Sequence, residues 1–480
     1  MTTASAPPLW QRFGAWLTGQ VRRGTQTQLE PYQTLLYFGD VVAASVTRGR
    51  SGPQDIPAPA TVSAVIAPER PPQPGDRFDL YISPVVASGL GVPTDQSVRA
   101  QVRFVGEITE VSTVVSHDLL LASLNLGGGD LVEVNRPLYE ITAVDQRARI
   151  NRWTQGDNPW PAEPINNRIG RILTSAGNDL TWDLPPDNIR VLARDVDNSS
   201  HGGLLDELSE WTGGVLVLER QLIWRWIPLS RRGAVGVDID VAADQAVGPL
   251  TWTVEDGDKV TRARVTYGDD GDNDQPFVEV ANEQAEVYGS EGRSNDRRPA
   301  TVNTQLESEA DARWVATELV SRRSLPQWRV SRLTIPVHQL IQRDTAQDRA
   351  LVRQLLLARD ECLVRLRGFP ELPGLDRNEP GPRSNGLLWC LGMSETFDAH
   401  TWTVTLDLAP YEALADPIKW SEVDPAVTWD DVPPFLTWFG ATTYQPREIE
   451  TGTWRDVPST TRWRTVPAGI TWTSADQLTE

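Results

Sequence analysis

Cysteine and long apolar runs are scarce in this 480-residue chain. Its two cysteines, Cys362 and Cys390, are too few for a disulfide framework or a structural zinc site, and neither has a second cysteine at ligand spacing, so we expect buried thiols. No stretch approaches the ~18–20 apolar residues that a membrane-spanning helix requires, and the N-terminal residues lack the apolar core of a signal peptide. These absences predict a protein that is made in a cytoplasm and has no membrane span.

Basic charge is also in short supply. Acidic residues outnumber basic ones by 65 to 45, which gives a formal net charge of −20. Proteins that bind nucleic acid usually carry a basic patch that neutralises phosphates. We therefore predict no specific nucleic-acid binding.

Candidate catalytic and metal motifs fail on spacing. The acidic segment 269–274 begins like a calcium loop, but Gln275 and Ala281 stand where that loop needs glycine and a bidentate glutamate, so we predict a solvated hairpin tip. The HGG run at His201 resembles an esterase oxyanion loop, yet no G-x-S-x-G elbow accompanies it, which favours a turn that leads into a helix. We predict no enzyme activity, no metal site and no cofactor. A carboxylate pair brought together by the fold, as in a glycosidase, stays open as an alternative.

Apolar and polar residues alternate over about 33–151 and again over 250–300, between clusters of proline, glycine and aspartate. Such alternation predicts strands that form a barrel or a sandwich. Between and after these parts, Pro164 is expected to begin a helix, Gly213 to end a second one, and Ser308 to cap a third. The segment VLVLERQLIWRWIPL predicts an apolar hairpin. The predicted fold class is α+β and rich in β-structure.

The N-terminal residues 1–28 form an amphipathic segment in this interpretation. Trp10, Phe13, Trp16 and Leu17 recur at near-helical spacing. We expect this segment to pack on a partner or on the chain's own body.

Six of the nineteen tryptophans lie in the last 61 residues and recur every nine positions within two triplets: Trp420, Trp429 and Trp438, then Trp454, Trp463 and Trp472. A period of nine turns a helix by about half a revolution and flips a strand to its other face, so no single helix or strand aligns these rings. A valine and then a proline follow four of the tryptophans. This pattern predicts short extended pieces that end in turns.

Regularly spaced aromatic anchors on an extended chain suit a docking segment, since each tryptophan buries a large area. We therefore predict that the six tryptophans are partner-docking residues of an arm that binds a neighbouring subunit or another protein. The alternative is a small β-meander with a tryptophan core that packs on the chain's own body.

Four groups of segments follow one another in a recognisable order: ATVSAVIAPERPPQPGDRFDLYIS with VRFVGEITEV, WPAEPINNRIGRILTSAG with LLDELSEWTGGVLVLERQLIWRWIP, SEADARWVATELVSRRSLPQWRVSRLTI, and ETFDAHTWTVTLDLAPYEAL. This order resembles the minor tail proteins of long-tailed phages that infect actinobacteria, and within them the tail-tip hub group. The resemblance rests on the shared order over about 380 residues and not on a catalytic signature. Residues 413–480 match no part of the hub body.

The resemblance implies two related β-barrels with an α+β portion between them. The chain then divides into an N-terminal amphipathic segment (1–28), a first β-barrel domain (29–151), an α+β insert (152–249), a second β-barrel domain with helices (250–412) and a Trp-repeat C-terminal arm (413–480). It also implies a homotrimer at the tail tip of the virion, made in the host cytoplasm, that caps the tail tube. The implied partners are the distal tail protein, the tape-measure protein and receptor-binding or other minor tail proteins. A hexameric distal tail ring protein and a carbohydrate-active or carbohydrate-binding tail protein are the alternatives.

Overall fold

The computed structural model of the chain describes most of the residues between 17 and 410. The described ranges are 17–22, 39–50, 56–68, 71–82, 92, 101–114, 138–152, 159–177, 180–185, 189–196, 199–220, 222–228, 238–255, 259–268, 275–282, 299–323, 327–369, 386–398 and 401–410. Within these ranges the fold is α+β and rich in β-structure, as the sequence predicts.

Six antiparallel strands near the N-terminus close into a ring. They are β1 (Leu17–Arg22), β2 (Gly39–Gly49), β3 (Ala58–Pro68), β4 (Arg77–Ile82), β5 (Val102–Val114) and β6 (Leu138–Val144). The order β1-β4-β5-β6-β3-β2 returns to its start because β1 pairs with both β4 and β2. Leu17–Arg22, which lies inside the predicted N-terminal segment 1–28, forms β1 and pairs with two strands of this sheet.

The described residues in the middle of the chain form short strands and three helices. The elements are α1 (Gln146–Arg152), β7 (Glu163–Pro164), α2 (Ile165–Ser175), β8 (Trp182–Asp183), β9 (Arg190–Val191), α3 (His201–Thr212), β10 (Val215–Leu218) and β11 (Trp224–Ile227). Pro164 precedes α2, Gly213 ends α3 in a left-handed conformation with φ 65°, and β10 pairs with β11 as an antiparallel hairpin. Two predicted helix boundaries and the predicted hairpin are confirmed.

The rest of the described chain returns to strands. The elements are β12 (Ile239–Ala242), β13 (Val247–Glu255), β14 (Arg262–Thr266), β15 (Phe277–Ala281), β16 (Pro299–Val302), α4 (Glu309–Arg323), β17 (Gln327–Pro336), α5 (Val337–Arg343), α6 (Ala346–Leu357), β18 (Leu363–Arg367), β19 (Gly386–Phe397) and β20 (Trp402–Pro410). The Ser308 hydroxyl accepts a hydrogen bond from the Asp311 amide at 3.1 Å, which confirms the predicted cap of α4.

Strands β2 and β19 join the two strand-rich parts into one twelve-stranded sheet. From β2 the order continues β19-β20-β17-β13, and β18 pairs with both β19 and β12. At the crossing, Gly49 is paired with Gly392 and has φ 90°. A Cβ atom on Gly49 would lie 2.2 Å from the Leu391 carbonyl oxygen, so this close approach requires glycine.

Two large hydrophobic cores lie beneath these elements. The first extends through β2–β6, β12, β17–β20, α5 and α6, so it is shared by both parts of the large sheet. The second contains α2, α3, β11, β14 and α4. Buried residues of β14, β15 and α4 thus share a core with the α+β insert, although the sequence interpretation placed these elements in the second barrel domain. Alternation shows which residues are buried but not which core receives them, and the five-part division stays a prediction.

Candidate functional site at the junction of the two cores

The sequence singled out two segments that lie outside the described residues. One contains the six predicted docking tryptophans, and the other is the acidic segment 269–274. The strands that flank 269–274 form an antiparallel hairpin with Thr266 opposite Phe277. The third candidate, His201, begins helix α3 after the N-cap Ser200, whose hydroxyl accepts from the Gly203 amide at 2.9 Å. The predicted helix-leading turn is therefore confirmed.

Glu395 on β19 is the centre of a buried ion-pair network. Arg103 on β5 donates from Nη2 to Oε1 of Glu395 at 2.5 Å and from Nε to Oε2 at 3.0 Å. Arg48 on β2 donates from Nη2 to the same Oε1 at 3.1 Å and to the Arg103 carbonyl at 2.6 Å. Arg220, in the turn between β10 and β11, has its Nη2 atom 3.7 Å from Oε1. We call these four residues the junction network, because Arg220 belongs to the insert and the other three to the large sheet.

Three groups of the junction network have shifted pKa values, and all three stay charged at neutral pH. Burial acts to raise the pKa of Glu395, but the three guanidinium groups, Arg103 foremost, outweigh burial and lower it to about 2. Burial, reinforced by the charge of Arg220, lowers the pKa of Arg103 to about 9. The same two causes lower the pKa of Arg48 to about 10. Three positive charges therefore surround one negative charge.

The junction network carries an excess of positive charge. Nε of Arg48 and Nε of Arg220 are buried and have no hydrogen-bond partner among the described residues. The carboxylates of Asp360 and Asp145 also attract the Arg48 guanidinium, and this attraction acts to raise the pKa of Arg48. An unpaired buried charge is costly, so the stability of the junction depends strongly on Glu395.

A second set of contacts joins the large sheet to the insert through the start of α1. The Asp145 carboxylate accepts from the Ala60 amide on β3 at 2.9 Å and from the Arg147 amide at 3.0 Å. The Arg147 guanidinium donates to the Leu216 carbonyl on β10 at 2.6 Å and to Asp206 on α3 at 2.9 Å. Burial raises the pKa of Asp145 to about 6, against the opposing effect of the backbone hydrogen bonds. Asp145 thus holds the start of α1 to β3, and Arg147 holds it to the insert.

The hairpin of β10 and β11 also contacts the end of α6 and the residues just after it. Arg220 donates to the Leu356 carbonyl at 3.4 Å, and Arg225 donates to the Asp360 carbonyl at 2.7 Å. The Arg225 guanidinium lies 2.8 Å from Glu219 in the same turn. Carbonyl groups in the last turn of a helix have no intrahelical partner, so an arginine that bonds to Leu356 satisfies an acceptor that α6 leaves open.

A further buried ion pair lies beside the junction network. Arg50, just after β2, donates to Glu361 from Nε at 2.6 Å and from Nη2 at 2.8 Å. Trp389 on β19 donates Nε1–H to the same carboxylate at 2.6 Å. Glu361 has φ 58°, a backbone conformation that residues other than glycine rarely adopt. These three bonds hold a strained turn in place.

The arrangement can fix two parts of the chain to each other. A cavity of about 20 Å³ lies among these groups, bordered by Arg48, Asp145, Arg147, Asp360 and Glu361, and its volume suits one water molecule.

Within the described ranges, no group of three or more histidine, cysteine, aspartate or glutamate side chains is placed to hold a metal ion. None of the described helices is long and apolar enough to cross a membrane.

The junction network is not apparent from the sequence. Its members lie far apart in the chain, with Arg103 and Glu395 separated by 292 positions. One local signal was present, since Glu395 interrupts the largely apolar strand GLLWCLGMSETF. A charged residue at a buried strand position implies a buried partner, but the sequence does not identify that partner.

The chain is similar in structure to tail proteins of prophages and phages. No family model and no curated protein matches it. A 43 kDa tail protein of prophage MuSo2 from Shewanella oneidensis is 10% identical, with a TM-score of 0.48 over 83% of this chain and 99% of that one. A tail protein from Neisseria meningitidis MC58 is 9% identical, with a TM-score of 0.49 over 83% and 98%. Prophage tail protein gp18 from Listeria monocytogenes EGD-e is 8% identical, with a TM-score of 0.44 over 76% and 94%.

Proposed function

We propose that the chain is a structural protein of a phage tail, and within the tail the tip hub that closes the tail tube. The observation that carries this proposal is the ordered series of segments, over about 380 residues, that resembles tail-tip hub proteins. The chain has no catalytic role in this proposal. Its place is the tail tip of the virion, after synthesis in the host cytoplasm.

The junction network supports a mechanical role of this kind. A hub has to keep its parts in a fixed relation while it connects the tube above to receptor-binding proteins below. A bidentate ion pair such as Arg103 with Glu395 restricts both distance and orientation. Because the loss of one buried partner strongly destabilises a fold, the network resists separation of the insert from the sheet.

We propose that three copies assemble around the tail axis. Within each chain, one continuous sheet contains two strand-rich parts, which are β1–β6 and the strands joined to β19. Three copies with two such parts each would present six contacts to a six-fold tube. The net charge of −20 suits a channel wall that does not retain DNA in transit. The proposed partners are the distal tail protein, the tape-measure protein and other minor tail proteins.

The copy number of the assembly tests this function. Light scattering on the purified full chain, together with mass measurement of the complex extracted from virions, should give three copies. Six copies would favour the distal tail ring protein instead. A single copy of the chain, both in solution and in the complex extracted from virions, would count against both the hub and the distal tail ring.

A further inference from the structure

The only two cysteines of the chain lie opposite each other, Cys390 on β19 and Cys362 immediately before β18. In the antiparallel pairing of β18 with β19, Leu363 is the partner of Trp389. One step along this register brings Cys362, just before β18, opposite Cys390. The Cys390 amide donates to the Cys362 carbonyl at 2.8 Å, which shows that the pairing continues to this step.

The spacing of such a pair is within the range of a disulfide bond. Opposed residues joined by antiparallel backbone hydrogen bonds have Cα atoms about 5.5 Å apart, and disulfides form at Cα separations of roughly 4.4–6.8 Å. Side chains of opposed residues also point to the same face of a sheet. Both thiols are buried, 2% exposed each, in the first core.

The two thiols interact in the reduced state. A hydrogen bond with the Cys362 thiol and burial raise the pKa of Cys390 well above its ordinary value. The Cys390 Sγ–H also lies 3.3 Å from the Gly392 carbonyl oxygen. Cys390 therefore stays protonated at neutral pH.

We propose that Cys362 and Cys390 form a redox site, a cross-strand dithiol that a small disulfide oxidant converts into an intramolecular disulfide. One cysteine thiolate attacks the oxidant, releases one reduced thiol and forms a mixed disulfide. The second cysteine then attacks the protein sulfur of that mixed disulfide and releases the second reduced thiol. In sum, two protein S–H bonds and the S–S bond of the oxidant break, one protein S–S bond and two S–H bonds of the released thiols form, and two electrons and two protons pass to the oxidant.

The bond would fasten β18 to β19 beside the strained turn at Glu361. It would close the loop between Cys362 and Cys390, which includes residues 370–385 that lie outside the described part of the chain. Opposed residues have Cβ atoms about 4.5–5.5 Å apart, whereas a disulfide needs roughly 3.5–4.5 Å. The strands would have to approach each other slightly, and this strain makes the bond easy to reduce.

The change of state has a consequence if the chain acts as the tail protein proposed above. Such a protein is made in a reducing cytoplasm and is then released into an oxidising medium. The reduced chain would fold and assemble, and the crosslink would form after release.

The test is a count of free thiols after treatment with oxidised glutathione at pH 8.5. The folded full chain and the chain unfolded in urea are treated in parallel, quenched with acid, alkylated under denaturing conditions and weighed by mass spectrometry. For the folded chain we expect two free thiols to fall to none, a loss of two hydrogen masses, no retained glutathione, and recovery with dithiothreitol. The oxidised form should unfold several degrees above the reduced form, because the crosslink restricts the unfolded chain.

Two single variants, Cys362→Ser and Cys390→Ser, are matched controls, since each keeps one thiol and cannot form the intramolecular bond. Neither should show an oxidant-dependent change in unfolding temperature. Two free thiols in the folded chain, while the urea-unfolded chain is oxidised, would overturn the proposal. Stable glutathione adducts or intermolecular dimers of the folded parent chain would overturn it equally.

Discussion

Arg103 and Glu395 are 292 positions apart in the sequence, and their side chains share two hydrogen bonds, at 2.5 and 3.0 Å, with neither side chain exposed to solvent. The pair connects β5 in the closed ring to β19 in the other part of the sheet. Through Arg220 it also reaches the insert. One carboxylate therefore links three parts of the fold.

Replacement of Glu395 by Gln should be strongly destabilising. The variant keeps the shape of the side chain but leaves three buried guanidinium groups without their central carboxylate, so we expect a loss of about 3–5 kcal/mol in the free energy of unfolding. Denaturant unfolding followed by circular dichroism measures this loss. Glu309→Gln is a matched control, because its partner Arg313 is exposed and such pairs contribute about 0.5 kcal/mol or less. Equal small losses in both variants would contradict the central role of Glu395.

Arg147→Met should loosen the insert more than the sheet. The substitution removes the bonds to the Leu216 carbonyl and to Asp206, while the methionine side chain still fills much of the space. Hydrogen exchange should become faster in α3 and β10, with little change in β19 and β20. The control is Arg190→Met in the same part of the chain, where the ion pair with Glu307 is exposed. Uniformly faster exchange throughout the chain would show that Arg147 acts on global stability instead.

The pH dependence of stability should carry opposite contributions from two carboxyl groups. The pKa of Asp145 is raised to about 6, so between pH 4 and 6 the folded state binds more protons than the unfolded state, and this contribution to stability falls as pH rises. The pKa of Glu395 is lowered to about 2, so its contribution is present above its unfolded pKa and is lost as pH falls from about 4.5 to 2.

The variant Asp145→Asn separates these two contributions. The side chain of the variant cannot ionise. Between pH 4 and 7 the free energy of unfolding of the parent should therefore fall by up to about 2–3 kcal/mol more than that of the variant. The comparison of slopes is independent of any constant loss caused by the missing acceptor oxygen. Parallel curves for parent and variant would show that Asp145 titrates alike in the folded and unfolded states.

The local parts of the fold could be predicted, and the long-range parts could not. Pro164, Gly213 and Ser308 mark helix ends through backbone chemistry that acts within a few residues, and all three boundaries are confirmed. The pairing of β2 with β19 depends on contacts between residues more than 300 positions apart, for which the sequence pattern carries no register. The same limit hid the Glu395 network, in which Arg103 and Glu395 are 292 positions apart. Strand β1 was missed because its pairing with β4 and β2 determines its conformation more than its own side-chain spacing does.

The six C-terminal tryptophans give the last prediction, that residues 413–480 dock onto a neighbouring subunit or tail protein. Strand β20 ends at Pro410, so truncation after Tyr411 leaves every described element intact. We expect the truncated chain to be soluble and to unfold at nearly the same temperature as the full chain, because the rings find their apolar surroundings only on a partner.

The truncated chain should fail to incorporate its partners into tail tips. A full-length variant with Trp420, Trp429 and Trp438 changed to Ala should show the same assembly defect, since a well-packed tryptophan contributes about 2 kcal/mol or more to an interface. This variant separates loss of the rings from loss of chain length. Unfolding temperature, soluble yield and recovery of assembled tail tips are the three measurements. A sharp fall in unfolding temperature, or loss of soluble expression on truncation, would instead indicate that the tryptophans form a self-contained core on the chain's own body.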